Sequence, residues 1–370
     1  MNILQIHGNI ANIGGASQGT KILSEKICER KGTSFLCYSD KNSILHSVDA
    51  SVNKINLNLT TKSVYKFLKN LNTIYKLIIN EKINIIHSHH RNDTIYACVL
   101  KILLKNKITL VYTVHGPQVA NKEIRIFYKL LNYIFIFLSN KYIDHIIYIS
   151  NFTKKKTQHL FKKVINQQVI YNGTPGPSVA TDENISIKEF QVNKNMFIVT
   201  MAGGISGYKN PKKFVKIAKR LKKYDKILFL SIGDGEEKEE LINYSKKHKL
   251  KNIIFIPTTN HIHKYLKKSS IIVSTAFDEG FGRTLIEGMS LSKPVIAFDT
   301  GGPKEIIIDN SNGFLIPKID EKKFDSKILE LYNNPLKAKE FGRKSFDIFN
   351  KKFSSEKYIS EHIKTFERYL

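Results

Sequence analysis

Short, nearly continuous apolar runs return along this chain at intervals too long for hairpins. NILQI (2–6) is followed by a helical pattern over Thr20–Arg30, INIIHSH (83–89) by one over Thr94–Leu104, ITLVYTV (108–114) by Ile124–Leu138, and HIIYI (145–149) by Thr153–Phe161. A strand that is apolar along its whole length is buried on both faces, and parallel neighbours need a crossover long enough to hold a helix. The rhythm predicts a parallel sheet with helices on both sides, which is α/β architecture.

The rhythm breaks once. Around YNGTPGPSVATDENIS (171–186) the chain turns small, polar and rich in Gly and Pro, the signature of a linker. It then restarts with MFIVTMAGG, a helix over Pro211–Lys223, KILFLSIGDG, a helix over Glu236–His248, NIIFIP, SIIVSTA and PVIAF, and beyond Lys318 it is helical to the end. A length of 370 residues exceeds what one core usually covers. Two Rossmann-like domains are expected, 1–180 and 181–353, with a final helix over 354–370. Two open α/β sheets would face each other across a cleft at their strand carboxyl ends, where such sheets bind ligands.

Charge narrows the partners. With 59 Lys+Arg against 32 Asp+Glu, the net charge of +27 implies something anionic: nucleic acid, a phosphorylated small molecule or a membrane surface. Compositional drift in a Lys-, Asn- and Ile-rich chain is the bland alternative. The three cysteines, Cys28, Cys37 and Cys98, are odd in number and lack metal or redox spacing, so a disulfide framework is not expected and the cytoplasm is the natural compartment. The N-terminus has no basic segment followed by an apolar core, and no stretch is long and uncharged enough to span a bilayer.

Several segments at strand exits carry candidate chemistry. GNIANIGGASQG lets backbone approach a bound group through Gly14 and Gly15, although its spacing is not the dinucleotide fingerprint and a tight strand-to-helix turn explains it equally. VYTVHGPQ sets His115 at a strand end, at the rim of the sheet. HSHHRND holds His87, His89 and His90, but alternating strand geometry should part neighbours and no acid or cysteine completes a set, so no metal is expected. In AGGISGYKNPKKF, Lys209 precedes a helix that starts at Pro211, a combination suited to phosphate. GDG (233–235) reads as an ordinary turn at the same sheet edge.

FDEGFGRTLIEGMS (277–290) constrains most. Gly280 and Gly282 permit a close approach, a helix starting near Arg283 aims N–H groups at an anion, and Glu287 lies about one turn inside it. Glu279 and Glu287 can accept hydrogen bonds from hydroxyls at two ends of one ligand, with phosphates held between them by amides, Lys209 and Arg283. A capping acid and a surface acid would not need the glycines.

Taken in order, GGAS, TVHG, ISNFT, YNGT, GYKNP, GDG, EGFGRTLIEGMS, KPVIAFDTGGPKEII and NGFLIP resemble the retaining glycosyltransferases of family 4, whose fold is GT-B, over nearly the whole chain. The resemblance implies a first domain for the acceptor and a second for a nucleotide-sugar. It implies that Glu279 contacts sugar hydroxyls and supports the transition state, that Glu287 binds ribose, and that Lys209 neutralises the leaving diphosphate. His115 would contact the donor sugar, Gly15 would lie near phosphates or acceptor, and Gly280, Phe281, Gly282 and Arg283 would form the donor loop. No metal or cofactor is implied; the nucleotide-sugar, expected to be UDP-linked, is a co-substrate. One departure stands out: the family commonly carries Arg where this chain has Gly204, which makes Arg283 the candidate replacement.

The resemblance also implies a glycan or lipid-linked acceptor, as in O-antigen, capsule or lipopolysaccharide assembly. IFYKLLNYIFIFL (126–138) reads either as a buried helix or as an interfacial one beside Lys122, Arg125, Lys129 and Lys154–Lys156, which would hold the protein peripherally on the inner face of the cell membrane. Two rivals remain: a GT-B sugar-nucleotide epimerase, which would need no acceptor, and a nucleic-acid-binding protein, which rests on charge alone.

Overall fold

A computed structural model describes residues 1–8, 15–30, 32–38, 47–57, 59, 63–116, 126–176, 196–317 and 320–370. Gly14, Lys122, Arg125, the side chains of Phe127 and Tyr128, and most of the expected linker (177–186) lie outside the described residues. The chain divides into two compact units, Met1–Asn172 with Ser355–Leu370, and Gly173–Ser354.

In the first unit the elements run β1 (Asn2–His7), α1 (Gly15–Glu29), β2 (Thr33–Tyr38), β3 (Asn53–Asn56), α2 (Val64–Asn80), β4 (Ile85–Ser88), α3 (Arg91–Leu103), β5 (Thr109–Val114), α4 (Ile126–Tyr142), β6 (His145–Tyr148), α5 (Asn151–Thr157) and β7 (Asn166–Val169). They form a parallel seven-stranded sheet in the order β3-β2-β1-β4-β5-β6-β7. Strand order reverses between β1 and β4, so the loops after them splay apart and open a crevice at their carboxyl ends.

The second unit contains β8 (Phe197–Ala202), α6 (Pro211–Arg220), β9 (Ile227–Ile232), α7 (Lys238–Lys247), β10 (Ile253–Ile256), α8 (Ile262–Lys268), β11 (Ile271–Ser274), α9 (Arg283–Ser290), β12 (Val295–Phe298), α10 (Pro303–Ile306), β13 (Gly313–Ile316), α11 (Glu321–Asn333) and α12 (Pro335–Lys352). Its parallel six-stranded sheet runs β10-β9-β8-β11-β12-β13, with the reversal between β8 and β11. The last helix, α13 (Ser355–Glu367), belongs to the first unit. Its buried face, Tyr358, Ile359, Ile363 and Phe366, packs with Ile3, Ile22, Ile85, Val111 and Ile147 on one side of the sheet. Truncating Phe366, which is fully buried, to Ala would cost ~3–5 kcal/mol.

Helices and strands differ from the sequence reading where polar residues are buried. Helix α1 starts at Gly15 rather than Thr20 because Ser17 and Thr20 turn inward and hydrogen-bond to His7 instead of meeting water. The strands β2 and β3 and the helix α2 had no counterpart in that reading. Strand β3, with sequence NKIN, is an exposed edge and carries no apolar run. Helix α2 opens on Ser63, whose hydroxyl caps the N–H of Lys66.

Candidate functional site

In the second unit a pocket of about 370 Å³ opens at the point where strand order reverses. Its walls are the end of β8 with Gly203 and Gly204, the end of β11, Lys209, Glu279 and the first turn of α9. Each wall is stitched to the next. The Thr284 hydroxyl donates to the Ala202 carbonyl (3.0 Å), joining α9 to β8. The Thr275 hydroxyl donates to the Asn210 carbonyl (3.0 Å), and Phe277 N–H to the Tyr208 carbonyl (2.9 Å), which ties the loop after β11 to the turn carrying Lys209.

The loop bearing Glu279 is supported from behind by a glycine pair. Gly302 N–H donates to the Glu279 carbonyl (2.7 Å). A Cβ on Gly301 would stand 2.3 Å from the Glu279 carbonyl oxygen, and one on Gly302 would stand 2.3 Å from the Phe281 Cα, so these backbones approach closer than any side chain permits. Gly301 also has φ +66°, and Gly282, the N-cap of α9, has φ +112°. The N-cap has no side chain to bond the first turn of α9, where Leu285 N–H donates to the Gly282 carbonyl (3.0 Å).

Both glutamates are paired with cations. Lys209 forms an ion pair with Glu279, and Arg283 Nε donates to Glu287 Oε1 at 3.0 Å across one helical turn. Burial alone would push the Lys209 ammonium down, but the neighbouring Glu279 carboxylate more than reverses this, so Lys209 is held cationic above its ordinary range. The arrangement offers acceptor oxygens at both ends, two cations, and the N-terminus of a helix between them. A ligand with hydroxyls at its ends and phosphates in the middle matches that order.

Lys209, Glu279, Gly282 and Arg283 therefore line one pocket. Glu287 is reached through Arg283. The Phe281 ring is buried edge-on against Phe353 (centroids 5.7 Å apart), so its side chain is committed to the core. Gly280 precedes it in the same loop. Gly204 is not imposed by packing, since a Cβ there would meet only Ser206 Oγ at 3.7 Å.

In the first unit, His115 follows β5 and Gly15 opens α1. The surroundings of His115 were not foreseen. His89 Nδ1 lies 3.0 Å from His115 Nε2, His89 Nε2 lies 2.9 Å from Gln5 Oε1, and His7 Nδ1 lies 2.9 Å from Thr20 Oγ1. The expectation that His89 and His90 part to opposite faces fails: their ring centroids are 5.1 and 4.8 Å from that of His7. The reason is that β4 ends at Ser88, so both residues lie in the turn into α3, where strand alternation no longer applies. His90 Nε2 faces His7 Nε2 (3.4 Å), which also meets Ser17 Oγ, while His89 is held by Gln5, Thr20 and His115, and no group of three or more metal-binding side chains converges among the described residues.

Asp93 seals this crevice. It accepts from Gly8 N–H (2.9 Å) and His90 N–H (3.1 Å), and burial pushes its carboxyl up to about 8. A Cβ on Gly8 would strike Asp93 Oδ1 at 2.1 Å, which accounts for glycine there. The signal for this cluster was present as polar residues at strand ends, but its members are distant in sequence and adjacent only through β1–β4–β5 pairing.

The family model for glycosyl transferases group 1 matches residues 182–347, and that for glycosyltransferase family 4 matches residues 13–175. An uncharacterised glycosyltransferase of Methanocaldococcus jannaschii is 31% identical over 335 residues, covering 88% of this chain and 85% of its own. The Escherichia coli UDP-Gal:alpha-D-GlcNAc-diphosphoundecaprenol alpha-1,3-galactosyltransferase is 28% identical over 75% of this chain and 76% of its own. The crystal structure of Anabaena HepE in complex with UDP and glucose superposes over the full length of both chains with a TM-score of 0.84 at 16% identity, a likeness of fold.

Proposed function

The chain belongs to the group 1, family 4 glycosyltransferases, and from that premise we propose that it moves a sugar from a UDP-sugar to a lipid-linked or growing surface glycan, with retention at the anomeric carbon. One observation carries this reading: two carboxylates, each paired with a cation, stand at the N-terminal turns of α9, at the β8/β11 reversal. In this assignment the second unit binds the donor and the first the acceptor.

Glu287 accepts from the ribose hydroxyls. The diphosphate lies on the α9 amides with Lys209 and Arg283 as counter-charges, and Glu279 accepts from sugar hydroxyls. His115 contacts the donor sugar, and Gly15 lies near the phosphates or the acceptor. The acceptor oxygen bonds to the anomeric carbon on the face from which the phosphate oxygen departs. The carbon–oxygen bond to the diphosphate breaks with its electron pair, and the acceptor proton passes to that phosphate oxygen. Charge develops on the departing diphosphate, where the cations and amides already stand, so no metal is required by this scheme.

Relatives support the acceptor class. The Escherichia coli relative is named for transfer to a diphosphoundecaprenol-linked sugar, and a Staphylococcus aureus relative, 33% identical over 40% of this chain, for transfer to poly(ribitol-phosphate). A lipid-linked acceptor requires approach to a membrane. No helix among the described residues is long and apolar enough to cross one. Helix α4 instead presents Leu130 (55% exposed), Tyr133 (70%) and Phe137 (55%) on one outward stripe, while Phe135 is buried beneath it. Lys129 and Lys141 share the helix, and Lys162 and Lys163 are exposed by its end, where Lys163 N–H donates to Asn140 Oδ1. An apolar stripe flanked by lysines suits peripheral attachment to an anionic inner leaflet.

Thermal-shift measurements against UDP-, GDP- and other nucleotide-sugars test the donor. UDP-sugars are expected to raise the melting temperature, since a ligand at a hundred times its Kd adds about 2.7 kcal/mol. Glu279→Ala and His115→Ala are each expected to abolish transfer to a lipid-linked acceptor with little change in stability. Transfer at the native rate by either variant would remove that residue from the site.

A further inference from the structure

We propose that Gln5 and His89 are positioning residues that fix His115 as its Nε2–H tautomer, so that a bare Nδ1 is what His115 presents to the substrate. This rests on the reading above that His115 meets the donor sugar, and it adds which atom does so and what that atom can accept.

Proton positions follow from one hydroxyl. Thr20 Oγ1 donates to the Ala16 carbonyl at 3.1 Å, which uses its only proton. The imidazole nitrogens facing that oxygen, His7 Nδ1 at 2.9 Å and His89 Nε2 at 3.4 Å, must then carry the hydrogens between them. Gln5 Oε1, 2.9 Å from His89 Nε2, is an amide oxygen and can only accept, which demands the same proton. Two independent acceptors thus face one nitrogen.

His89 is neutral. Burial holds its imidazole well below the ordinary range, and His87 and His7, with centroids 4.2 and 5.1 Å away, lower it further. A neutral ring has one proton. With that proton on Nε2, His89 Nδ1 is a lone pair, and His115 Nε2, 3.0 Å away, must donate to it. Burial keeps His115 neutral in turn, so its own Nδ1 is bare. His115 is half-buried at the exit of β5, and Nδ1 has no partner among the described residues.

The cost of the arrangement points the same way. Gln5 is fully buried on the interior strand β1, between Leu4 and Ile6, and its Nε2 has no hydrogen-bond partner among the described residues. An unpaired amide in that place is destabilising, and a leucine would fill the core without it. What the glutamine supplies is a fixed acceptor for His89. A bare nitrogen accepts from an O–H or N–H and repels an ether oxygen, so the contacted sugar position is assigned a donating substituent, hydroxyl or amide.

Long-range ¹H–¹⁵N correlation of histidine-labelled full-length protein reads tautomers directly, with His115 assigned by its loss in His115→Gln. The expected spectrum has a protonated Nε2 and an unprotonated Nδ1; the opposite pattern overturns the proposal. In Gln5→Met, His115 is expected to populate both tautomers and the transfer rate to fall about tenfold, the loss of one hydrogen bond's worth of orientation. A wild-type spectrum in folded Gln5→Met removes Gln5 from the relay. Should that variant fail to fold, the wild-type spectrum tests the relay at His89, which is expected to carry its proton on Nε2 with Nδ1 bare, and the reverse pattern there overturns it. Retained activity in His115→Ala would sink the substrate contact while leaving the spectrum as it is, so the two failures are distinct.

Discussion

At the scale of single residues, Gly204 gives a direct test of the electrostatics of the donor pocket. Space is open there, and the backbone does not require glycine, since its φ lies outside the left-handed region. Gly204→Arg is therefore expected to fold normally and to add a cation to a pocket that already holds Lys209 and Arg283. A charge-assisted hydrogen bond to phosphate is worth ~1.5–3 kcal/mol, so calorimetric titration with UDP should tighten by about tenfold or more. Unaltered affinity would mean that Arg283 already satisfies the diphosphate, or that phosphates lie elsewhere. Gly302 behaves in the opposite way. A methyl group there would meet the Phe281 Cα at 2.3 Å, so Gly302→Ala should cost ~1–3 kcal/mol and displace the Glu279 loop, seen as a lower melting temperature together with lost transfer. The sequence made Glu279, Arg283 and Glu287 legible because they sit within one strand–loop–helix segment. Gln5, His89 and Asp93 were not legible as a group, because each alone reads as a satisfied polar residue and only the pairing of β1, β4 and β5 brings them together.

At the scale of elements, fully buried parallel strands were the clearest signal, and β1, β4, β5, β6, β8, β9, β10, β11 and β12 all fall on apolar runs. The edge strands of the first sheet carry no such run: β3 alternates nothing, and β7, with sequence NQQV, is largely polar and half-buried. Helix α4 shows why composition alone could not decide between a buried and an interfacial helix, since it has one buried and one exposed apolar face. Phe135 enters the core with Tyr112 and Phe161, in edge-on contacts of 5.8 and 6.0 Å, while Tyr133 and Phe137 face outward. The outward three touch little, so Leu130→Ser, Tyr133→Ser and Phe137→Ser together should leave the melting temperature within a degree or two, surface changes being worth about 0.5 kcal/mol each. If the stripe meets lipid, the triple variant should lose most of its cosedimentation with vesicles containing anionic lipid, each apolar side chain withdrawn from the interface removing ~1–2 kcal/mol. Undiminished cosedimentation would relocate the membrane contact, or leave only the lysines holding it.

At the scale of the whole molecule, the two units should respond differently to acid. Among the described residues the first unit buries five histidines, His7, His87, His89, His145 and His362, whereas His248, His261 and His263 of the second lie nearer the surface. Burial first, and repulsion from neighbouring histidines second, hold His7, His87 and His89 well below their ordinary range, and burial sets His145 and His362 at about 4. In the unfolded chain each of these rings takes up a proton near pH 6.5. Below that pH the unfolded state binds more protons than the folded one, so stability is fully present above pH 6.5 and is lost as pH falls toward 4, by about 1.4 kcal/mol per pH unit for each ring. Asp93 acts with the opposite sign. Its carboxyl, raised to about 8, keeps a proton that the unfolded chain has released above pH 4, so its contribution is complete in acid and fades as pH rises through 8. One acid against five histidines leaves the balance with the histidines in the acid range, and the two trends cross near neutrality. Hydrogen exchange by mass spectrometry at pH 7 and pH 5 can follow each unit separately. Peptides from β1, β4, β5 and α13 are expected to lose protection at pH 5 while those from β8, β9 and β11 keep theirs. Equal loss in both units would show that the buried histidines are not what sets the acid limit, and that burial in this network costs far less than the geometry of the first sheet requires.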